Sequence, residues 1–158
     1  MTLKTNWQAK HFNELSLNEL YDLLKLRIDV FVVEQTCYYP DLDGESNQLD
    51  RHPETLHLLG YQDDNLVAYL RILAKGQSYD DYISIGRVAI AKQARGSGLG
   101  HELMLEALNL CQQSFSNQAI KISAQEHLIE FYQQHGFEQV SQMYLEDNIP
   151  HVAMIKSV

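Results

Sequence analysis

The chain has 158 residues, 45% of them hydrophobic, enough for one buried core and too apolar for extended disorder. Twelve basic against twenty-one acidic side chains leave a formal charge of −9. That balance argues against nucleic-acid and anionic-membrane binding, which need a cationic footprint, and suits an amine-bearing or cationic partner. The two cysteines, Cys37 and Cys111, match neither a disulfide framework nor a zinc spacing. The N-terminal residues lack the apolar run of a signal peptide, and no stretch reaches the ~18–20 apolar residues of a membrane span. A single domain over residues 1–158, in the cytoplasm, is the expectation.

Residues 16–31 are predicted to open with a helix. Ser16 and Glu19 have capping-box spacing, and Leu15 and Leu20 sit at the staple positions. Leu17, Leu20, Leu24, Ile28 and Phe31 mark one helical face. Residues 36–54 are polar, with Pro40, Gly44, Pro53 and several aspartates, and read as a long loop of a kind that is often functional. Asp41, Asp43, Gly44, Glu45 and Asp50 invite a calcium reading. An EF-hand needs aspartate five residues before its glycine, and that position is Tyr39. No metal is expected; a solvated acidic lip that attracts a cationic acceptor is.

Residues 56–61 and 66–74 flank Asp63-Asp64-Asn65, which predicts an antiparallel hairpin. Residues 82–91 form a further strand. Leu99, Leu103, Ala107, Leu108 and Cys111 mark the next helix. Residues 119–124 are a short strand, and 126–135 a short helix ended by Gly136. Residues 137–144 and 151–155 make a final strand pair. This order indicates an α/β or α+β sheet covered by helices.

Gly96, Gly98 and Gly100 alternate where a strand gives way to an amphipathic helix. Glycine permits a sharp turn and close approach of another group. The first N–H groups of a helix have no internal partner and attract phosphate; Lys92 and Arg95 add positive charge. A P-loop is excluded, because no Gly-Lys-Ser/Thr follows. A dinucleotide fingerprint places its third glycine one position later than here. A turn that uses its glycines only for packing is the competing reading.

Gln93-x-x-Gly96-x-Gly98, opening a helix after a strand, resembles the acyl-CoA signature of the GNAT N-acetyltransferase superfamily. The run Ile85, Gly86, Arg87, Val88, Ala89, Ile90 resembles the preceding strand, whose backbone binds the pantetheine arm in that superfamily. Ile122-Ser123-Ala124-Gln125, then Phe131-Tyr132-x-x-His135-Gly136-Phe137, is similar to its second block. Leu20 to Arg27, Val30 to Gln35, Tyr39 to Gly44, and His151 after Ile149-Pro150 resemble the ElaA-like subfamily, across nearly the whole chain. The resemblance implies a mixed, mostly antiparallel sheet, splayed into a V by its central parallel pair and flanked by helices, with acetyl-CoA in the cleft. It implies cofactor contacts from Val88, Ala89, Ile90, Gln93, Arg95, Gly96, Ser97, Gly98, Leu99 and Gly100. Gln125, where many members carry Asn, joins them. It leaves the acyl acceptor unnamed and a homodimer open.

Acyl transfer from a thioester to an amine needs a neutral amine, a donor for the developing oxyanion and a fate for the thiolate. By the resemblance, Tyr132 is the acid beside the coenzyme A sulfur; a core tyrosine packed beside Phe131 is the alternative. Glu34 closes the apolar run from Val30 to Val33 and is the expected base or acceptor ligand, its pKa raised by partial burial. The alternative is an exposed glutamate at an element's end. His57 and His151 flank strands and are expected to face the acceptor, where either could relay a proton. Arg27 is expected in a structural ion pair with an acid of the long loop. The function is read as N-acetyl transfer to a primary amine, against a silent acyl-CoA-binding module; fold alone does not separate them. Acyl-homoserine-lactone synthesis would want a longer chain and a site for S-adenosylmethionine.

Overall fold

In the computed structural model, which describes residues 3–42 and 48–158, the strands divide between two sheets. The first is antiparallel throughout, in the order β1 (Asn6–Lys10), β2 (Leu56–Gln62), β3 (Asn65–Leu73), β4 (Ser84–Ile90). In the second, β8 (Ile149–Lys156) is central. β5 (Ile120–Gln125) pairs with one edge of it, and β6 (Glu138–Gln139) and β7 (Tyr144–Glu146) pair with the other. The two sheets meet at one parallel bridge, between Ile83 and Ile120. There the Ile83 N–H donates to the Ala119 carbonyl at 3.2 Å and the Lys121 N–H to the Ile83 carbonyl at 2.9 Å. Beyond that point no strand pairs with the outer edge of β4 among the described residues. The mixed, mostly antiparallel, splayed sheet flanked by helices is the architecture expected.

Helix α1 (Leu17–Arg27) starts where the capping box demands. The Ser16 Oγ accepts from the Glu19 N–H at 3.0 Å, and Glu19 Oε1 accepts from the Ser16 N–H at 2.8 Å. Its inward face is rotated from the expected one. Leu17 and Ile28 are exposed, whereas Leu23, Leu26, Arg27 and Val30 are buried. The helix runs on as a π-helical segment, Ile28–Glu34, closed by the Gln35 N–H donating to the Val30 carbonyl at 3.0 Å. The wider turn shifts every later side chain from the 3.6-residue register.

Strand β1 was not expected, because only Trp7 and Ala9 are apolar in it. Its pairing with β2 makes it a strand, Trp7 opposite Gly60. A Cβ on Gly60 would lie 2.5 Å from the indole, so glycine is what lets Trp7 lie across the sheet. The indole Nε1 donates to Glu102 Oε1 at 3.0 Å, tying β1 to helix α2 (Leu99–Ser114). α2 buries Leu99, Leu103, Met104, Ala107 and Cys111. The short helix α3 (Ile129–Gln133) follows a 3₁₀ turn and precedes Gly136, at φ 91° as expected. The strand expected over 137–144 is broken into β6 and the start of β7, because the Ala153 N–H donates to Ser141 Oγ instead of a neighbouring strand. Asp147 and Asn148, at φ 49° and 62°, close the β7–β8 hairpin.

The acids of the long loop turn inward. Arg27 is fully buried. Its Nε donates to Asp41 Oδ2 at 2.9 Å, one terminal nitrogen to Asp50 Oδ1 at 2.8 Å, and the other to the Asp41 carbonyl at 2.8 Å. Arg71 also donates to Asp50 Oδ1, and Arg87 to Asp41 Oδ1, each at 2.9 Å. The expected Arg27 ion pair therefore forms, and the expected solvated lip does not include Asp41 or Asp50. Asp43, Gly44 and Glu45 lie outside the described residues. Among the described residues no helix is long and apolar enough to cross a membrane, and no group of three His, Cys, Asp or Glu could hold a metal ion.

Candidate active site

The splay opens a cleft of about 940 Å³ lined by β4, β5, the π segment and the β7–β8 hairpin, a volume typical of ligand pockets. On β4 the register jumps: Tyr69 faces Ala89 while Arg71 faces Gly86. One extra residue bulges there, with Arg87 at φ 52°. The bulge lets the consecutive residues Arg87 and Val88 both line the cleft, with Ile90 beyond them. Ala89 is 1% exposed and does not line it. Among the described residues no strand covers the outer edge of β4, so its backbone groups there call for partners from side chains such as Arg95, from solvent or from a ligand.

β4 leads through the 3₁₀ turn Lys92–Ala94 into the glycines. Gly96 and Gly98 have φ of 89° and 81°, and a Cβ on either would meet nothing within 4 Å. Both are left-handed turn positions, and both leave room toward the cleft they line. Gly98 is the N-cap of α2. Gly100 has another role: it lies inside the helix, where a Cβ would stand 3.6 Å from the Phe131 ring. Leu99 and Gly100 line the cleft; Gln93 and Ser97 do not. The Ser97 hydroxyl instead donates to the Ala94 carbonyl at 3.2 Å. This turn, open before a helix N-terminus, and the unpaired edge of β4 together fit an acyl-CoA.

Tyr132 lies on α3, 6% exposed, between Phe131 and Phe137 in edge-on contacts. Its side chain lines the cleft, and its hydroxyl has no hydrogen-bond partner among the described residues. Burial pushes its pKa up to about 12, which keeps the phenol protonated at neutral pH. The ring packs in the core as the packing reading expected, and the residue also lines the cleft. Gln125 is there too, its amide donating to Gln35 Oε1 at 3.3 Å.

Glu34 lines the cleft but is not the expected buried carboxylate. It is exposed and bound by Arg95 through two contacts, of 2.5 and 2.9 Å. The Arg95 hydrogen bond holds its pKa below the ordinary value, the opposite of the rise expected from burial. Arg95 also donates to the Ile90 carbonyl from Nε at 3.1 Å and from a terminal nitrogen at 2.9 Å. Four of its five N–H groups are thus engaged within the protein.

The acetyltransferase (GNAT) domain family matches residues 29–158. The chain belongs to that family. It is 42% identical to protein ElaA of Escherichia coli strain K12 over 152 residues, 96% of each chain. An acyl-CoA N-acyltransferase from Pseudomonas aeruginosa is 43% identical and superposes with a TM-score of 0.91, over 98% of this chain and all of that one. An aminoglycoside 6′-N-acetyltransferase complexed with coenzyme A shares the fold at 15% identity, with a TM-score of 0.69 over 94% and 96% of the two chains. The family and the Pseudomonas neighbour make acyl transfer the general chemistry of this GNAT protein.

Within this GNAT cleft His151 takes a place and His57 does not. His57 is fully buried against a separate cavity of about 210 Å³ lined by Leu23 and Leu24. Its Nε2–H donates to the Asp50 carbonyl at 2.9 Å, so Nδ1 accepts from the Tyr69 hydroxyl at 2.6 Å. Burial lowers its pKa, and it is a locked neutral ring. The expected acceptor-side role for His57 is withdrawn. Among the lining residues that sequence reasoning missed are His101, Arg87, Glu146 and Asp147. His101 shares a hydrogen bond of 2.8 Å with His135, both packed on Phe131. Arg87 is exposed to the cleft only through the bulge. Glu146 and Asp147 arrive on a hairpin whose turn residues were noted without a function.

Proposed function

We propose that the chain is one acyltransferase domain that moves an acetyl group from acetyl-CoA to a primary amine, with both bound together. The observation that carries this is a single cleft joining three things: a left-handed glycine turn at a helix N-terminus, an unpaired strand edge and an unpaired tyrosine hydroxyl. The backbone N–H groups from Gly96 to Gly100 would hold the pyrophosphate. The edge of β4 would take the pantetheine arm, and Gln125 would face it from β5. Bound acetyl-CoA supplies the activated acyl group as a thioester.

The chain's own contribution is mostly placement. Holding two reactants in attack geometry is worth as much as ~7–11 kcal/mol. A β4 N–H stabilises the charge that grows on the carbonyl oxygen. The amine nitrogen bonds to the carbonyl carbon as the carbon–sulfur bond breaks, and Tyr132 donates toward the departing sulfur. A thiol in water, with a pKa of ~8.5, would hold its proton too weakly for a phenol at about 12 to give one up. Burial raises a thiol, as at Cys111, where it outweighs the lowering effect of Lys156 and the thiol is pushed up to about 12. Where bound reactants exclude water, the sulfur would move toward the phenol in proton affinity.

The test is turnover with acetyl-CoA and a panel of amines, read as free thiol, beside thermal melting with acetyl-CoA. At ~100 times Kd the ligand should stabilise the fold by ~2.7 kcal/mol. A melting shift with no thiol release would favour the silent binding module. No shift and no heat of binding would end the acyl-CoA reading.

Two variants probe the phosphate end. Gly98→Val places a branched side chain at φ 81° in the space before α2. It should cost ~1–2 kcal/mol of stability through backbone strain. Acetyl-CoA affinity measured by calorimetry should fall at least about tenfold, beyond what strain explains; unchanged affinity would mean the cradle lies elsewhere. Glu34→Gln should do the reverse. It releases the Arg95 guanidinium for phosphate, and exposed ion pairs are worth about 1 kcal/mol or less. Affinity for acetyl-CoA should therefore rise by up to about fivefold, and a loss of affinity would show that Glu34 helps Arg95 bind.

A further inference from the structure

His151 enters the cleft from β8, level with Gln125 on β5 and Tyr144 on β7. Its side chain is 8% exposed. The Nδ1–H donates to the Ile149 carbonyl at 2.7 Å. A carbonyl only accepts, so this bond keeps a proton on Nδ1 and leaves the lone pair of the neutral ring on Nε2. Nε2 lies 3.4 Å from Glu146 Oε2. Ser123 donates its hydroxyl to the other Glu146 oxygen at 3.2 Å. Ser123 has no second proton, so the Tyr144 hydroxyl 2.5 Å away donates to Ser123. The Tyr144 ring stacks on the imidazole, with centroids 6.2 Å apart and planes at 21°. The ring is thus held at one nitrogen by a carbonyl and on one face by a phenol, with a carboxylate at its other nitrogen.

Two other bases in the cleft are engaged elsewhere. Glu34 is bound to Arg95. His101 shares its Nδ1 hydrogen bond with His135. His127 lines the cleft from the exposed turn before α3, with no carboxylate at ion-pair distance among the described residues. The charged or titratable groups around His151 are Glu146 and Tyr144 on β7 and Asp147 in the hairpin; on β5 its neighbour is the uncharged Gln125.

We propose that His151 Nε2 takes the proton of the acyl acceptor, that Glu146 is its positioning residue, and that the acceptor is an alkyl ammonium. This rests on the acyl-transfer reading above. An alkylamine is mostly protonated at neutral pH, with a pKa of ~10.4 for a lysine-like group. Its nitrogen gives up two protons as the carbon–nitrogen bond forms. The carbon–sulfur electron pair leaves with sulfur, which ends as a thiol carrying one proton. The second passes to His151 Nε2 and makes an imidazolium beside the Glu146 carboxylate. Glu146, its side chain 50% exposed, hands that proton to water. The net change is ammonium plus thioester to amide, thiol and one solvent proton.

The experiment compares wild type, His151→Gln and Glu146→Gln. Thiol release from acetyl-CoA is followed against pH with n-butylamine, spermidine and Nα-acetyllysine, and coenzyme A binding is measured by calorimetry. His151→Gln should lower kcat about 10²-fold and abolish the acidic limb of the pH–rate profile. Glu146→Gln should lower kcat several-fold and displace that limb. Both should bind coenzyme A as wild type does. If His151→Gln fails to fold, the solvent-facing Glu146→Gln decides alone. An acidic limb unmoved in the folded variants overturns the assignment. Wild type that binds coenzyme A but acylates none of the three amines overturns the acceptor class. Wild type that neither binds nor turns over overturns the acyl-CoA reading beneath it.

Discussion

Replacing Arg27 with leucine is expected to lower the unfolding free energy by about 3–5 kcal/mol, read from urea melts at neutral pH. Arg27 is fully buried and donates to Asp41 and Asp50 at once. Leucine fills part of the volume but supplies no charge, so two carboxylates lose their central partner. The variant's pH dependence follows from Asp50. Burial raises its pKa, but Arg27 and then Arg71 outweigh that, and the net shift is downward. In wild type this carboxylate stabilises the fold above its unfolded pKa of ~3.9 and loses that contribution as pH falls through the folded value. Without Arg27 the raising effect of burial gains ground and Asp50 protonates more readily. The deficit of Arg27→Leu should therefore be largest at neutral pH and shrink toward pH ~4. A deficit independent of pH would point to lost packing as the main cause.

Tyr132→Phe is expected to lower kcat by about 10²-fold, the low end for a lost general acid, because thiolate is a good leaving group. Affinity for acetyl-CoA should barely change. Stability should barely change, because no hydrogen bond of the Tyr132 hydroxyl holds the fold among the described residues and the ring contacts with Phe131 and Phe137 remain. This combination separates the functional role from core packing, which would show as a lower melting temperature with kcat intact. Single-turnover acyl transfer, with chemistry shown to be rate-limiting, is the measurement that decides.

The readings that depended on neighbours in sequence were legible. The capping box at Ser16, the turn at Gly96 and Gly98, the hairpin around Asp63 and the stop at Gly136 each follow from a few adjacent residues. The site was legible where a motif fixes backbone geometry, and so Gly96, Gly98, Tyr132 and Gln125 meet in one cleft. What failed was set by partners far along the chain. Glu34 looked like a carboxylate closing an apolar run, but Arg95, 61 residues away, decides its charge state. Arg27 was expected to take one acid of the long loop, but nothing local shows that it takes both Asp41 and Asp50, or that Arg71 and Arg87 join it, so the loop still looked like a wet lip. β1 borrows its strand character from β2, and the π segment is invisible to a search at a 3.6-residue period. His57 and His151 were equivalent as letters; only strand register sends one into the cleft and seals the other beneath it.

The seam at Ile83 and Ile120 has a bearing on how the molecule acquires its site. Each sheet is zipped from antiparallel neighbours, whereas the junction is a parallel contact that must wait for α2 to carry the chain across. Most pairing within each leaf closes shorter stretches of chain than the contact between the leaves does. The cleft belongs to neither leaf alone: β4 brings the strand edge, β5 and β8 bring Gln125 and His151, and the crossover brings the glycines. The cleft is thus a product of assembly between two subunits of structure in one chain, and its geometry is only as fixed as the spine that joins them.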